Sequence, residues 1–331
     1  MSIDGRVLAR ARERKRDLRA EHEKDLTMLR HEIYRRLPRV REIDGKLRAL
    51  MPEVIAIALK KGLNPEQELK RVMNESLGLQ EERERLMRGA GLDPACLDAH
   101  YICEDCRDSG FRGAEICHCL MELYREEARR ELSVLLKLGD ETFENFNLGY
   151  YPLTPEKSGI VPREHMAKVL ETARGYAEHF EVLPLNFLFQ GGPGLGKTYL
   201  SACIARVVSE SGHSVVYDTV VAMMNAFEIV QFSRNSERAT EAESDVRRYL
   251  ECDLLILDDL GTETSSSFTN SALYTLLNTR LANKRRTIIS TNLDDKELKR
   301  RYSQQILSRL QGEYTVLRFF GRDIRRLTRD A

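Results

Sequence analysis

Hydrophobic residues recur near helical spacing through the first part of the chain, among many arginines and glutamates. The recurring positions are Leu8, Ala11, Leu18, Leu26, Leu29, Ile33 and Leu37. This spacing is typical of amphipathic helices, and Pro38, Pro52 and Pro65 divide the region into segments because proline interrupts a helix interior. The pattern predicts a solvated helical hairpin or short coiled coil over residues 1–98, on which a partner protein could dock.

After residue 180 the pattern changes to short apolar runs that alternate with helical segments. The runs are LNFLFQG, SVVYDT, DLLILDD, TIISTN and TVLRFF. Five buried strands separated by helices predict an α/β domain with a parallel sheet covered on both faces. The polar residues 233–247, between two of these runs, are predicted to be partly mobile.

Composition narrows the function classes. The chain has 331 residues and 52 each of Lys+Arg and Asp+Glu, so its net charge is zero. This balance argues against a protein that coats polyanions, although a local basic face could still bind nucleic acid. No apolar window is long enough for a membrane span, and the N-terminus has no signal-peptide core. We therefore expect a cytoplasmic protein without a membrane partner, in which clustered cysteines indicate metal more often than disulfides.

Residues 191–198, GGPGLGKT, match the G-x-x-x-x-G-K-[ST] pattern of a phosphate-binding loop. They lie between a predicted strand and a predicted helix, where backbone N–H groups and the helix N-terminus can face phosphate oxygens. Lys197 can reach the β- and γ-phosphates of ATP, and Thr198 can ligate Mg²⁺. The predicted nucleotide-binding segment is Gly191, Gly192, Pro193, Gly194, Leu195, Gly196, Lys197, Thr198 and Tyr199.

Two other predicted strands end in polar residues that would complete this site. LLILDDLG contains Asp258 and Asp259, and TIISTN ends in Asn292. We expect Asp258 to hold Mg²⁺ and Asp259 to orient or deprotonate the attacking water. Asn292 would hydrogen-bond the γ-phosphate or that water. Together with the phosphate-binding loop, these residues predict an ATPase that converts ATP to ADP.

Four cysteines are concentrated between the helical region and the α/β domain. Cys103 and Cys106 form C-x-x-C, and Cys117 and Cys119 form C-x-C. Two such knuckles can close a tetrahedron around Zn²⁺, whose binding free energy would fold a segment too small for a core. His118 could replace one thiolate, and buried free cysteines, a redox pair or an iron–sulfur cluster remain alternatives. The isolated cysteines are Cys96, Cys203 and Cys252, of which the last two are expected to be packing residues.

The chain thus divides into three predicted parts. These are a helical arm over 1–98, a zinc-binding module with a linker helix over 99–138, and an ATPase domain over 139–331. The ATPase domain resembles the AAA+ ATPases, and within them the DnaC/DnaI/IstB group of replicative helicase loaders and transposition helper ATPases. The resemblance rests on GGPGLGKTYLSACIA, DLLILDDLGTE, ALYTLLNTRLANKRRTIISTNL, ILSRLQGEY and FFGRDIR. It implies an AAA+ P-loop domain whose five-stranded parallel sheet has the order 5-1-4-3-2.

The resemblance also implies roles for residues near the C-terminus. Asn292 resembles sensor 1, and Arg309 the arginine finger that completes a neighbouring subunit's site, although Arg300 and Arg301 remain alternatives. Arg325 resembles sensor 2. Either guanidinium would stabilise the charge on the γ-phosphate during transfer. Many AAA+ proteins have Glu at the position of Asp259, and the shorter acid suits a slow switch.

From this resemblance we expect an ATP-dependent loader of a DnaB-type replicative helicase onto single-stranded DNA. ATP binding and hydrolysis would act as the switch, and the ATPase domain would self-associate. The helical arm and cysteine module resemble those of DnaI-like loaders, which favours a loader over an IstB-like transposition helper ATPase. A zinc-dependent adaptor with a purely structural ATP site is the third hypothesis.

A patch for single-stranded DNA is predicted around one helix of the α/β domain. Met223, Met224, Phe227 and Phe232 lie near Arg234, and bases stack on such side chains while cations hold phosphates. Met223, Met224 and Phe227 are equally typical of a hydrophobic core. Phe232 and Arg234 are therefore the DNA-binding candidates.

Overall fold

The computed structural model describes residues 3–59, 65–98, 101–136, 141–233 and 237–327. Its helices are α1 (Gly5–Arg36), α2 (Pro38–Leu59), α3 (Pro65–Gly89), α4 (His118–Leu136), α5 (Pro162–Glu178), α6 (Lys197–Glu210), α7 (Val220–Phe232), α8 (Glu237–Glu251), α9 (Ser267–Ala282), α10 (Asp295–Arg301), α11 (Gln304–Glu313) and α12 (Ile324–Leu327). Its strands are β1 (Phe111–Arg112), β2 (Glu115–Ile116), β3 (Asn186–Gln190), β4 (Val215–Thr219), β5 (Leu254–Leu260), β6 (Arg286–Thr291) and β7 (Tyr314–Arg318). Within these ranges, no helix combines the length and the apolar character that a bilayer crossing requires.

Strands β3 to β7 form one parallel sheet in the spatial order β4-β5-β6-β3-β7. Numbered within this sheet and viewed from the other edge, the order is 5-1-4-3-2, as predicted. Strand β3 pairs with both β6 and β7, and β5 pairs with β6. The carboxyl ends of β5, β6 and β3 are therefore neighbours, which is the place where ligands bind in open α/β sheets.

Helices cover both faces of this sheet. On β5, Leu254 and Ile256 belong to one buried cluster, and Leu255 and Leu257 belong to another. Successive side chains of a strand point to opposite faces, so a strand buried on both sides needs an unbroken apolar run. This requirement explains the apolar runs of β3, β5 and β6, whereas the edge strand β7, which was predicted to be buried, is largely exposed.

The chain forms two compact units, one containing residues 12–120 and the other residues 1–11 with 121–331. In the first unit, Ile43, Leu50 and Ile57 of α2 share a buried cluster with Val72 and Leu79 of α3. The predicted helical hairpin is present in this pair of helices. The three-part division with boundaries after residues 98 and 138 stays a prediction.

One local expectation was wrong, and the partial mobility of residues 233–247 stays a prediction. Pro52 lies inside α2 rather than at a boundary, because apolar contacts with α3 on both sides of it offset the backbone hydrogen bond that proline removes. The polar segment 233–247 is helical from Glu237 onward, as part of α8. Ala239, Ala242 and Tyr249 are buried at helical spacing along α8, a pattern that the polar composition obscured.

A fully buried guanidinium fastens α8 to the sheet. Arg280 of α9 donates to the carbonyl oxygens of Tyr249 at 2.6 Å and Cys252 at 3.1 Å, at the C-terminal end of α8. It also donates to the Arg286 carbonyl oxygen at 2.5 Å and the Thr287 hydroxyl at 2.9 Å, where β6 begins. Arg280 thereby satisfies helix-end carbonyls that have no partner within the helix.

Replacing Arg280 with Met should destabilise the protein by roughly 3 kcal/mol, because several buried carbonyl oxygens lose a charged donor. The midpoint of urea unfolding, followed by circular dichroism, measures this loss. The matched control is Arg247→Met in α8, because Arg247 is exposed and this variant deletes a guanidinium that is in contact with solvent. Equal midpoints for the two variants would contradict the capping role.

Candidate nucleotide site and cysteine cluster

The phosphate-binding loop joins β3 to α6 and depends on glycine at two positions. Gly194 and Gly196 have φ values of 70° and 89°, in the left-handed region that favours glycine. A Cβ on Gly194 would lie 1.8 Å from Asp323 Oδ1, and one on Gly196 would lie 2.9 Å from the Tyr151 hydroxyl. The loop therefore requires glycine for both its backbone conformation and its close packing.

Lys197 begins α6, and its ammonium group is buried in the loop. Its Nζ donates to the carbonyl oxygens of Gly191 and Gly192 and to Asn292 Oδ1, each at 2.7 Å. Burial lowers the pKa of Lys197, whereas the carboxylates of Asp259 and Asp258 act to raise it. The structure thus brings the predicted loop lysine and the predicted sensor asparagine into direct contact.

Asp258 ends the buried part of β5 and accepts hydrogen bonds from several neighbours. Thr198 Oγ1 donates to Asp258 Oδ2 at 2.9 Å, and the Tyr217 hydroxyl of β4 donates to the same oxygen. Ser290 of β6 donates to Asp258 Oδ1. A threonine hydroxyl beside a carboxylate is the oxygen donor set that Mg²⁺ prefers, so these two residues fit the predicted metal role.

Asp259 has a backbone conformation that is unusual for a non-glycine residue. Its φ is 59°, and the pairing of β5 with β6 is irregular between Leu257 and Leu260. The bulge turns the Asp259 side chain toward the cavity instead of the sheet, and Asn292 Nδ2 lies 3.4 Å from its Oδ1. Burial, and then the adjacent Asp258, raise the pKa of Asp259, which suits a group that accepts a proton.

A cavity of about 330 Å³ lies beside the loop. It is lined by loop residues 193–199, by Asp259 and Asn292, and by aromatic side chains from the segment 145–151. Phe146 and Tyr151 are stacked with ring centroids 5.9 Å apart, and Tyr151 donates to the Leu195 carbonyl oxygen at 2.9 Å. Phe146 and Tyr151 are buried, whereas Tyr150 is 37% exposed beside the cavity and can stack on a nucleobase. These residues were not predicted from the sequence, although they lie in the aromatic, turn-rich stretch DETFENFNLGYYPL.

Of the two arginines predicted to act on ATP, one lines this cavity and the other does not. Arg325 lines the cavity, where the backbone N–H of Ile324 donates to the Gly194 carbonyl oxygen at 2.9 Å. Arg309 lies on α11, donates to Asn278 Oδ1 at 3.0 Å and does not line the cavity. Of the alternatives, Arg300 is exposed, and Arg301 donates to the buried Glu263.

The DNA-binding candidates lie on or beside α7. Met223 and Met224 are buried and belong to the core, and Phe227 packs partly against it. Phe232 is 67% exposed, and its ring centroid lies 5.7 Å from that of Phe268. Arg234 lies outside the described residues.

The four clustered cysteines converge in the unit of residues 12–120. Their Sγ atoms all lie within 4.8 Å of one another. Cys103 and Cys117 Sγ atoms are 3.8 Å apart, and those of Cys106 and Cys119 are 3.5 Å apart. Four sulfurs at about 2.3 Å from a tetrahedral Zn²⁺ stand roughly 3.8 Å apart, so the spacing fits zinc.

The cysteine thiols differ in acidity: burial raises the pKa of Cys103 and raises that of Cys119 to about 12, whereas the pKa of Cys106 is lowered. Burial disfavours the Cys106 thiolate, but the Gly110 N–H, 3.3 Å from its Sγ, and neighbouring cysteines lower the pKa of Cys106 to about 7. His118 is the alternative ligand, since its Nδ1 lies 3.6 Å from Cys117 Sγ and 3.4 Å from Asp105 Oδ2. Its side chain is 59% exposed, whereas three of the four cysteines are buried. This geometry favours the four-sulfur set.

The isolated cysteines have different surroundings. Cys203 and Cys252 are buried in the two clusters that flank the sheet, as expected for packing residues. Cys96 is half-buried and lies outside the four-sulfur group.

The α/β part of the chain is similar to known proteins. Residues 177–314 match the model of the IstB-like ATP binding protein family. The replicative helicase loader DnaC of Escherichia coli K12 is 30% identical over 148 residues, which are 45% of this chain and 59% of DnaC. DnaC of Buchnera aphidicola from Schizaphis graminum is 29% identical over 151 residues, 46% of this chain and 60% of the relative.

The chain thus matches about 60% of the length of these curated relatives. Among solved structures, DnaI is 20% identical with a TM-score of 0.43, over 58% of this chain and 92% of that one. A structure of the DnaC helicase loader is also 20% identical, with a TM-score of 0.40 over 54% of this chain and 98% of that one. Residues 177–314, which contain the phosphate-binding loop, Asp258 and Asn292, are therefore similar to the IstB-like ATP binding protein family and to part of DnaC.

Proposed function

We propose that this protein loads a hexameric replicative helicase onto single-stranded DNA, with ATP binding and hydrolysis as the switch. The observation that carries the proposal is the similarity of its ATP-binding domain to proteins named replicative helicase loader DnaC. The helical arm supplies a separate surface for a partner, because α2 and α3 form a cluster of their own. A transposition helper remains the second candidate, since the matching family model is named for IstB.

The nucleotide site supports a switch through the partners of Lys197. Its ammonium group is bonded to two loop carbonyls and to Asn292, and phosphate oxygens would compete for the same donors. Binding of ATP would thus release Asn292 toward the γ-phosphate or the water that attacks it. Asp259, half-buried with a raised pKa, would orient that water and accept its proton. Mg²⁺, held by Thr198 and Asp258, would neutralise phosphate charge.

The cysteine cluster supports a structural zinc site. Four thiolates would fill the coordination shell of Zn²⁺ and leave no open position for catalysis. We propose that zinc folds residues 103–119 and so shapes the surface that meets the helicase. Self-association would place Arg309 of one subunit at the site of the next, in keeping with its position outside its own cavity.

Lys197→Ala should weaken ATP binding by roughly tenfold or more, because the phosphates lose their principal cation. It should also abolish helicase loading. Fluorescent nucleotide titration and a helicase loading assay measure the two effects, with Lys168→Ala on the exposed side of α5 as the control. Normal loading by Lys197→Ala would refute the ATP switch and favour an adaptor.

Capture of the cognate replicative helicase by the full-length protein distinguishes the two candidate functions. We expect a helicase complex that persists without transposase. Capture of a transposase with no retention of helicase would contradict the loader assignment and support the transposition helper.

Purified protein should contain one zinc per chain, and Cys106→Ser should lose it, because three thiolates hold the ion more weakly. Atomic absorption measures the stoichiometry, and Cys96→Ser is the matched control because Cys96 lies outside the cluster. Chelation should abolish helicase binding before it abolishes ATP binding. Loss of ATP binding with helicase binding intact would contradict the structural role.

Arg309→Ala should bind ATP normally and hydrolyse it at least tenfold more slowly, since the finger acts only on the transition state. Mixing it with Lys197→Ala should restore activity, because one variant retains the site and the other retains the finger. ATPase rates across mixing ratios measure this complementation, and a strictly additive response would exclude a finger supplied by the neighbour.

A further inference from the structure

Tyr217 contacts Asp258, the candidate magnesium ligand, and neither the loop pattern nor the family resemblance identified it. It lies on the edge strand β4 and is 6% exposed. Its backbone pairs with Ile256, two residues before Asp258, so Tyr217 and Asp258 are diagonal neighbours on one face of the sheet. The Tyr217 hydroxyl donates directly to Asp258 Oδ2.

The hydrogen bonds to Asp258 show why this contact matters. Oδ2 accepts from Thr198 and Tyr217, and Oδ1 accepts from Ser290 and from the Asp259 N–H at 3.2 Å. A carboxylate has about four lone-pair sites. Protein donors therefore occupy the accepting capacity of Asp258, and Mg²⁺ or its water ligands must displace one of them.

Tyr217 is the donor that Mg²⁺ can displace from Asp258 with the least disturbance of other hydrogen bonds. Thr198 belongs to the predicted magnesium site itself, and Ser290 Oγ also accepts the Asp259 N–H at 3.0 Å. Displacement of Ser290 would therefore disturb a second hydrogen bond in the bulge that presents Asp259. The Tyr217 ring, in contrast, reaches Asp258 from a neighbouring strand at the edge of the sheet.

We propose that Tyr217 is a positioning residue that competes with Mg²⁺ for Asp258 and sets the magnesium concentration at which the site binds nucleotide. The inference rests on the proposed ATP switch, whose magnesium step it makes specific. Tyr217 touches neither nucleotide nor water in this role and acts through the Asp258 carboxylate. Tyr217 would thus set the minimum magnesium concentration for nucleotide binding, because Mg²⁺ must first displace the phenol hydroxyl from Asp258.

The test is a magnesium titration of fluorescent ADP binding to the full-length protein. Tyr217→Phe keeps the ring and removes the hydroxyl, so half-saturating Mg²⁺ should fall roughly tenfold or more, as expected for loss of one charge-assisted hydrogen bond. Binding of ADP without magnesium should not change. Tyr217→3-fluorotyrosine, a stronger donor, should shift the magnesium curve in the opposite direction.

Tyr249→Phe is the matched control. Tyr249 is 5% exposed and donates to a different carboxylate, Asp218 Oδ2, at 2.6 Å. This variant removes a similarly buried hydroxyl away from Asp258 and should leave the magnesium curve unchanged. A purely structural effect of Tyr217→Phe would appear equally in Tyr249→Phe.

Two results would overturn the inference. An unchanged magnesium curve for Tyr217→Phe would exclude competition, and a higher magnesium requirement would show that the phenol assists the ion. If Tyr217→Phe fails to fold, the fluorotyrosine variant decides the sign alone. Failure of the proposed function can be distinguished from failure of this inference. Wild-type protein that shows the magnesium response but loads no helicase would refute the loader assignment only.

Discussion

The nucleotide site depends on one buried positive charge, the ammonium group of Lys197. It joins two loop carbonyls to Asn292 at the end of β6, with 2.7 Å contacts to each. A buried charge is costly unless it is paired, so the loop and the ends of β3 and β6 hold one another in place. Under the proposed function, phosphate oxygens that recruit Lys197 would also free Asn292. A ligand-driven switch requires that one group, here Lys197, exchanges one set of partners for another when the ligand binds.

Much of the α/β architecture follows from the sequence because its physical requirements leave strong patterns. Strands buried on both faces need continuous apolar runs such as LLIL, and parallel pairing needs helices between them. The boundary predicted at Pro52 was wrong because the effect of proline is judged from its local sequence. Helix α2 is stabilised by contacts with α3, which the local sequence does not reveal. The helix over residues 237–247 was not predicted, because a helix with one narrow buried stripe can be mostly polar in composition.

The site was predictable to the extent that its residues belong to contiguous motifs. Lys197, Thr198, Asp258 and Asn292 each follow a recognisable strand or loop, and parallel pairing places them together. The left-handed backbone of Asp259 was not predictable, since nothing in LLILDDLG marks a bulge. The role of Tyr217 was not predictable either, because a tyrosine in an apolar run is typical of a core residue. Only the pairing of β4 with β5 shows that it lies diagonally from Asp258.

Charge also explains why the thiols are concentrated beside a helical arm. Lys15 of α1 is 8% exposed, with its Nζ 3.1 Å from Cys119 Sγ and 3.8 Å from Asp108 Oδ1. Asp108 in turn accepts the Cys103 N–H at 2.9 Å and so orders the first knuckle. A buried lysine requires negative partners, and metal-bound cysteines remain thiolates. The thiolates that Zn²⁺ would keep deprotonated would therefore supply the negative charge that Lys15 needs. Zinc binding would in this way couple the folding of the arm from residue 12 onward to that of the cysteine cluster.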